Sequence, residues 1–325
     1  MDRNPRLLIL HQGALGDFIA VFPALRLLRE RYPRIDAICR RSLGDLAVEL
    51  QVIDGRLPLE SAIVSTLFSE AVHPELKGRI GTYQSIVLFS YSEELEKSVC
   101  STTDRPVYRI APRPSPGEPI HVADHVLSLL IRFGLVPSAG FCPIAGGRRI
   151  APVEPAPIFL HPGSGSRLKN WPISNFIRLA RMLETKGIQP AFVLGPAEDH
   201  LEADLTGRAT AAFDRPNDLV DLARLLKTAS GFIGNDSGVS HLAAYLGVPT
   251  VAIFGPSDPV RWRPLGPAVA VVQPGAECRP CFETKTGRGC RRGCIEEISP
   301  QRVLKAYEEL RVASCGLRVI PPGVG

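Results

Sequence analysis

The chain has 325 residues, 45% of them hydrophobic, with a net charge of +5 at pH 7. That length exceeds what one hydrophobic core usually holds, so two domains are expected. The basic residues are scattered, with only a small knot at Arg291-Arg292, which argues against nucleic acid as a partner and is compatible with weak attraction to anionic lipid. No apolar run approaches the roughly 20 residues that a bilayer span needs. Met1 to Arg6 leads directly into a strand-like Leu7–Leu10, with no extended apolar signal region, so a cytoplasmic protein is expected.

In chain order, Arg6–His11 reads as a first strand and Gln12-Gly13-Ala14-Leu15-Gly16-Asp17 as a glycine-punctuated turn. Phe18, Val21, Phe22, Leu25 and Leu28 then mark one face of a helix. Pro23 sits too deep for a first-turn proline, so the regular helix is expected to begin near Val21 or to kink there. Ile35–Cys39 is a second strand and Ser42–Leu50 a second helix. Within 51–119 only Ser85–Phe89 and Val107–Ile110 read as strands, and His121–Phe133 is a helix. Phe141–Pro157, rich in glycine and proline, is the expected linker, with the domain boundary near Pro152.

The second half alternates more regularly. Ile158–His161 and Pro190–Leu194 are strands. Ile173–Lys186, Glu198–Arg208 and Leu219–Thr228 are helices. Ser230–Gly255 follows as strand, polar turn Asn235-Asp236-Ser237-Gly238, helix and strand. Val269–Gln273 is a last strand and Pro300–Val312 a terminal helix. Strands separated by helices of this length give parallel sheets covered on both faces, hence an α/β protein of two Rossmann-like, doubly wound domains facing a cleft.

Several groups stand at strand exits, where such sheets bind ligands. Asp17, beside Gly13 and Gly16, is placed to take a proton from a hydroxyl, or else to cap the helix. Gly-x-x-Gly-Asp is neither the dinucleotide fingerprint nor a P-loop, which disfavours a nicotinamide oxidoreductase and a nucleotide triphosphatase. His161-Pro162-Gly163-Ser164-Gly165-Ser166, followed by Lys169-Asn170-Trp171-Pro172, offers main-chain amides, hydroxyls and a movable cation to a diphosphate. The plainer reading is a flexible loop with a solvated lysine, against which Trp171-Pro172 looks built to anchor it.

Glu198 could take the hydroxyls of a ribose or serve first-turn electrostatics. Asp236 could bind sugar hydroxyls or cap, and His241 could reach a phosphate or pack in the core. The amides around Ser237 and Gly238 would hold the diphosphate from its other side. Cys278-x-x-Cys281 and Cys290-x-x-x-Cys294 fit a structural zinc site, with reduced thiols in a basic loop as the alternative.

Leu7–Pro33, HPGSGSRLKNWP, the Gly195–Glu198 turn, IGNDSGVSHLAAYLGVPTVAIFGPSDP and the cysteine-bearing tail together resemble the heptosyltransferases of glycosyltransferase family 9. The resemblance implies a GT-B fold, with residues 1–152 binding the acceptor and 153–325 the nucleotide sugar, and with the terminal helix 300–312 crossing back to the first domain. It implies an inverting, metal-independent transfer of heptose from an ADP-activated donor to a lipid-linked lipopolysaccharide core acceptor, made by peripheral contact at the inner face of the cytoplasmic membrane. Asp17 would be the general base, Lys169 and Ser164 would contact the diphosphate, Glu198 the ribose and Asp236 the transferred sugar. Ser237 and Gly238 amides, with His241, would stabilise the departing nucleotide.

The loop before Lys169 departs from the paired threonines of some members, so its phosphate contacts would be partly main chain. Residues 51–119 match nothing, which leaves the acceptor open. Another nucleotide sugar or glycan, and a non-catalytic nucleotide-binding scaffold, are the alternatives.

Overall fold

The computed structural model describes residues 4–69, 71–137, 156–202, 205, 211–275, 280–283 and 293–315. The chain divides into two compact units, residues 1–144 with 218–220, and residues 145–217 with 221–325. The expected linker, apart from Ala156 and Pro157, and the boundary near Pro152 lie outside the described residues.

In the first unit β1 (Arg6–His11), β2 (Arg34–Cys39), β3 (Gly55–Pro58), β4 (Ser85–Phe89) and β5 (Val107–Ile110) form a parallel sheet in the order β3-β2-β1-β4-β5. Sequence dictates position here. Leu7–Leu10 and Ile86–Phe89 are unbroken apolar runs, and as central strands β1 and β4 bury them on both faces. The edge strands β3 and β5 are only partly buried, and Pro58, which has no amide to donate, ends an edge strand. The helices are α1 (Leu15–Leu28), α2 (Arg41–Glu49), α3 (Ala62–Ser65), α4 (Pro74–Ile80), α5 (Glu93–Cys100) and α6 (Val122–Arg132).

Two expectations are corrected at α1. The helix begins at Leu15 and runs through Pro23, because Phe18, Phe22, Leu25 and Leu28 bury one face on either side of the proline. Gly16, expected in the loop, therefore lies in the first helical turn.

The second unit holds β6 (Ile158–His161), β7 (Pro190–Val193), β8 (Ala212–Asp214), β9 (Gly231–Asn235), β10 (Thr250–Ile253) and β11 (Val269–Val272), all parallel, in the order β11-β10-β9-β6-β7-β8. Its helices are α7 (Ile173–Thr185), α8 (Leu219–Leu226), α9 (Gly238–Tyr245), α10 (Pro259–Trp262) and α11 (Pro300–Cys315). The helix expected from Glu198 starts instead as a 3-10 turn, Pro196–Leu201, since Pro196 is pre-set for a first helical position. Residues 203–204 and 206–210 of that expected helix lie outside the described residues. Helix α11 packs on α7, β10 and β11 of its own unit, and Tyr307 lies against Gly231.

Both sheets reverse their winding at one place, between β1 and β4 and between β6 and β9. A crevice opens there at the carboxyl ends of the strands, so the turns after these four strands are where ligands are expected.

The opposite end of the first sheet is held by a buried carboxylate. Asp36 Oδ2 accepts from Arg6 Nη2 at 3.0 Å, Arg34 Nε at 3.2 Å and Tyr83 Oη at 2.8 Å, and Arg6 also lies over the Tyr83 ring. Burial, reinforced by the Asp36 charge, pushes the Tyr83 phenol up, so it stays a donor. Tyr83→Phe should cost about 1.5–3 kcal/mol, the worth of a hydrogen bond to a charged group, by chemical denaturation.

Candidate active site

At the switch point of the first unit, β1 ends in His11 and the chain turns through Gly13 into α1. His11 is buried between Phe18 and Phe89, with ring centroids 4.9 and 5.8 Å away, and its Nδ1 accepts from the Gly13 amide at 3.3 Å. Burial pushes the imidazole down to about 4, with the Asp17 charge opposing the shift and Arg113 adding to it. It is therefore neutral at pH 7. A Cβ on Gly13 would stand 2.8 Å from both Asp17 Cβ and His11 Cε1, so only glycine admits those two side chains together.

Asp17 is not the cap of α1. That position is Ala14, and Asp17 on the first turn reaches back so that its Oδ2 accepts from the Ala14 amide at 3.2 Å. Its stronger partner is Arg113, beyond β5: Nε donates to Oδ1 at 2.9 Å and Nη2 to Oδ2 at 2.8 Å. Asp17 is 10% exposed at its side chain and Arg113 46%, so a largely buried acid is held by a half-exposed cation. Sequence reading missed Arg113, since nothing in a separation of 96 residues signals the pair.

In the second unit the turn after β6 and the turn after β9 are joined by Asn235. Its Oδ1 accepts from the Trp171 amide at 2.9 Å, and its Nδ2 donates to Pro162 O at 2.7 Å and Gly163 O at 3.3 Å. Trp171 is buried edge-on to Phe176, and its Nε1 donates to Ile298 O at 2.8 Å, so the loop is anchored as its composition suggested. Asn235 was readable only as a turn residue. A fully buried amide ending an apolar strand was the available signal.

This frame brings Lys169 to Asp236, with Nζ donating to Oδ2 at 3.1 Å, and places the ammonium 5.3 Å from the Phe282 ring centroid. Ser237 is the N-cap of α9, its Oγ accepting from the Ser240 amide at 3.3 Å, which leaves Asp236 with no capping role. Gly238 opens the helix and His241, one turn in, is buried. Ser164 turns into its own loop, with Oγ 2.7 Å from Ser166 O and 2.6 Å from Asn170 Oδ1. His161 donates from Nδ1 to Val193 O at 3.0 Å, and burial holds its pKa down.

Glu198 is buried on the 3-10 turn after β7, its Oε2 accepting from the Gly195 amide at 2.9 Å. Its carboxylate lies against Gly163, where any Cβ would overlap Glu198 Oε1. Lys169, Glu198, Asp236, Ser237, Gly238 and His241 thus gather on the turns after β6, β7 and β9, and Asp17 with Gly13 after β1.

Among the described residues no group of three or more His, Cys, Asp or Glu is placed to hold a metal. Cys278 and Cys290 lie outside them. Cys281 and Cys294 are half-buried, on segments that both meet the corner after β10: the Cys281 amide donates to Pro256 O at 2.9 Å, and Ile295 packs on Gly255. No helix among the described residues is long and apolar enough to cross a membrane.

A family model described as glycosyltransferase family 9 (heptosyltransferase) matches residues 148–290, the span that carries the Lys169, Glu198 and Asp236 turns. Over that span the chain is similar to glycosyltransferase family 9. The chain is 28% identical over 231 residues to lipopolysaccharide heptosyltransferase 2 of Salmonella typhimurium, over 66% of this chain and 61% of that one. The match thus spans less than two thirds of that relative's length.

In three dimensions the chain is similar to the glycosyl transferase family 9 protein of Veillonella parvula, with a TM-score of 0.76 and 19% identity over 96% of this chain and 99% of that one. It is also similar to the ADP-heptose lipopolysaccharide heptosyltransferase II of E. coli, with a TM-score of 0.74 and 20% identity over 95% and 99%. The fold is GT-B, as expected.

Two outcomes follow from the packing. Unfolded, His11 would take its proton near the usual 6.5, and folded only near 4, so its contribution to stability is whole above pH 6.5 and lost as pH falls toward 4. Denaturant unfolding across that range should lose up to about 3 kcal/mol, and His11→Gln should flatten the dependence. Gly163→Ala, by forcing Glu198 aside, should cost about 1–3 kcal/mol, most of it recovered in a Gly163→Ala/Glu198→Ala double variant.

Proposed function

We propose that this protein is an inverting, metal-independent glycosyltransferase of family 9 that moves heptose from ADP-L-glycero-D-manno-heptose to a lipid-linked lipopolysaccharide inner-core acceptor. The observation that carries the reading is the Lys169–Asp236 pair set beside the capped N-terminus of α9 at the second unit's switch point. A lysine, free amides and a helix N-terminus in one place suit a nucleoside diphosphate, whose negative charge grows as it leaves. The relatives' printed names supply ADP-heptose as the donor and lipopolysaccharide as the product class.

In this mechanism Lys169 turns from Asp236 to the diphosphate when the donor binds, and Asp236 is released to the hydroxyls of the sugar. Glu198, fixed by Gly195 and seated on Gly163, takes the ribose hydroxyls. Ser237 and Gly238 amides and His241 hold the leaving nucleotide. Ser164 acts by shaping the loop, its hydroxyl being engaged within it, so phosphate contacts there are main-chain. Asp17 removes the acceptor hydroxyl proton as the oxygen attacks the anomeric carbon from the face opposite the leaving diphosphate. Gly13 leaves room for that carboxylate.

The enzyme works in the cytoplasm with peripheral contact at the inner membrane, where a lipid-linked acceptor is presented. A zinc held by Cys278, Cys281, Cys290 and Cys294 would fasten the tail to the Gly255–Pro256 corner, and metal analysis of protein purified without chelator tests it.

The deciding experiment is a donor panel by calorimetry. ADP-heptose should bind in preference to UDP and GDP sugars and to NAD. Lys169→Ala should weaken binding roughly 10- to 150-fold, the equivalent of about 1.5–3 kcal/mol for a hydrogen bond to a charged group. Asp17→Asn should keep donor affinity and lose roughly 10²–10⁴-fold in turnover. Preference for UDP or GDP would move the protein to another glycan, and no nucleotide binding would leave a scaffold.

A further inference from the structure

The residue that faces the proposed base is not part of the mechanism above. Arg113 lies in the extended segment after β5, and its guanidinium closes a two-bond fork over Asp17 at 2.9 and 2.8 Å. With the Ala14 amide also on Oδ2, both carboxylate oxygens have donors. The backbone of Arg113 is pinned separately: Tyr91, just beyond β4, donates its phenol to Arg113 O at 3.0 Å, and Arg109 Nη1 donates to Tyr91 O at 3.4 Å. The main chain is thus tied to the β4 exit while the side chain, 46% exposed, reaches across to the β1 exit.

We propose that Arg113 is a latch on Asp17, opened by an anionic group of the acceptor. The inference rests on the reading of Asp17 as general base. A carboxylate gripped by a guanidinium fork has its in-plane lone pairs directed at nitrogen, so it offers a hydroxyl a poorer seat and a weaker pull on its proton. A neutral sugar gives the guanidinium nothing in exchange for a carboxylate. A carboxylate or phosphate on the acceptor does, and because Arg113 is half-exposed and its backbone is fixed elsewhere, the side chain can change partners without moving the segment.

The acceptor class is therefore a glycan with an anion next to the reacting hydroxyl, and Arg113 is a positioning and specificity residue. The closed latch also protects the donor. With Asp17 free and no acceptor present, the carboxylate would take a proton from water, the water oxygen would bond to the anomeric carbon, and the bond to the diphosphate oxygen would break, releasing ADP with the electron pair.

The test is ADP release from ADP-heptose without acceptor. Arg113→Gln should hydrolyse donor at least about tenfold faster than the native protein, Arg113→Lys should fall between the two, and adding Asp17→Asn to Arg113→Gln should abolish the gain. Unchanged or slower hydrolysis in Arg113→Gln, with the donor still bound, overturns the latch and leaves the donor reading standing.

The fork is also read without any donor, by the Arg113 Nε–H signal in proton–nitrogen spectra, identified by its absence in Arg113→Gln. Asp17→Asn should shift it, and glucuronate or a hexose phosphate should shift it in the native protein where glucose does not. A signal indifferent to Asp17→Asn, or to both anions, overturns the latch. Failure of ADP-heptose to bind at all would count against the proposed function instead.

Discussion

The geometry at the second unit's switch point depends on one buried amide. Asn235 sits at 0% exposure with three side-chain hydrogen bonds to backbone positions at the two ends of the connection between β6 and α7. An amide oriented this way cannot flip without placing its oxygen against the Pro162 and Gly163 carbonyls and its NH2 against the Trp171 amide, so it fixes the spacing between the β6 turn and the segment that begins at Trp171. Lys169 lies two residues before Trp171 and Asp236 one residue after Asn235. Their 3.1 Å contact is therefore set by the amide rather than by their own attraction. Trp171 extends the same constraint through Ile298 to the segment that leads into the last helix, so that segment and the loop after β6 share one anchor.

Each unit carries one acid paired with a more exposed cation at its switch point: Asp17 with Arg113, and Asp236 with Lys169. Pairs of this kind contribute little net stability, because desolvating the charges offsets most of their attraction. In the mechanism we propose, their value is in exchange. A guanidinium or ammonium already lined up on a carboxylate is ordered before a ligand anion arrives, so less side-chain entropy is lost on binding. The acid is then released at the moment its partner leaves. The neutral His11 beneath Asp17 adds no competing charge to this arrangement, since its burial keeps the imidazole unprotonated well below pH 7.

Much of this was legible in the chain. The unbroken apolar runs of β1 and β4, and of β6 and β10, pointed to two parallel sheets, and the Asn-Asp-Ser-Gly block to a capped helix whose cap is Ser237. What local reading could not supply was long-range. The edge strand β3 is four residues of mixed character, Gly-Arg-Leu-Pro, stabilised by pairing with β2 and not by its own propensity. Helix α1 passes through Pro23 because tertiary burial outweighs a lost hydrogen bond. Gly16 was misplaced for the same reason. Asp17 was legible as a strand-exit acid, but its partner was not, because ion pairs across a sheet leave no periodic trace.

The two glycines that matter at these sites do so by absence of a side chain. Gly13 admits Asp17 and His11 into one volume, and Gly163 admits the Glu198 carboxylate against the loop after β6. In each case the acid's position is defined by a missing Cβ, which is a tighter constraint than a hydrogen bond because overlap is not negotiable by rotation alone. A dinucleotide fingerprint uses glycine to bring backbone to phosphate. Here the glycines bring a carboxylate to backbone. The second sheet nevertheless winds in the dinucleotide-binding order, so strand order alone does not specify which groups its strand-exit turns present.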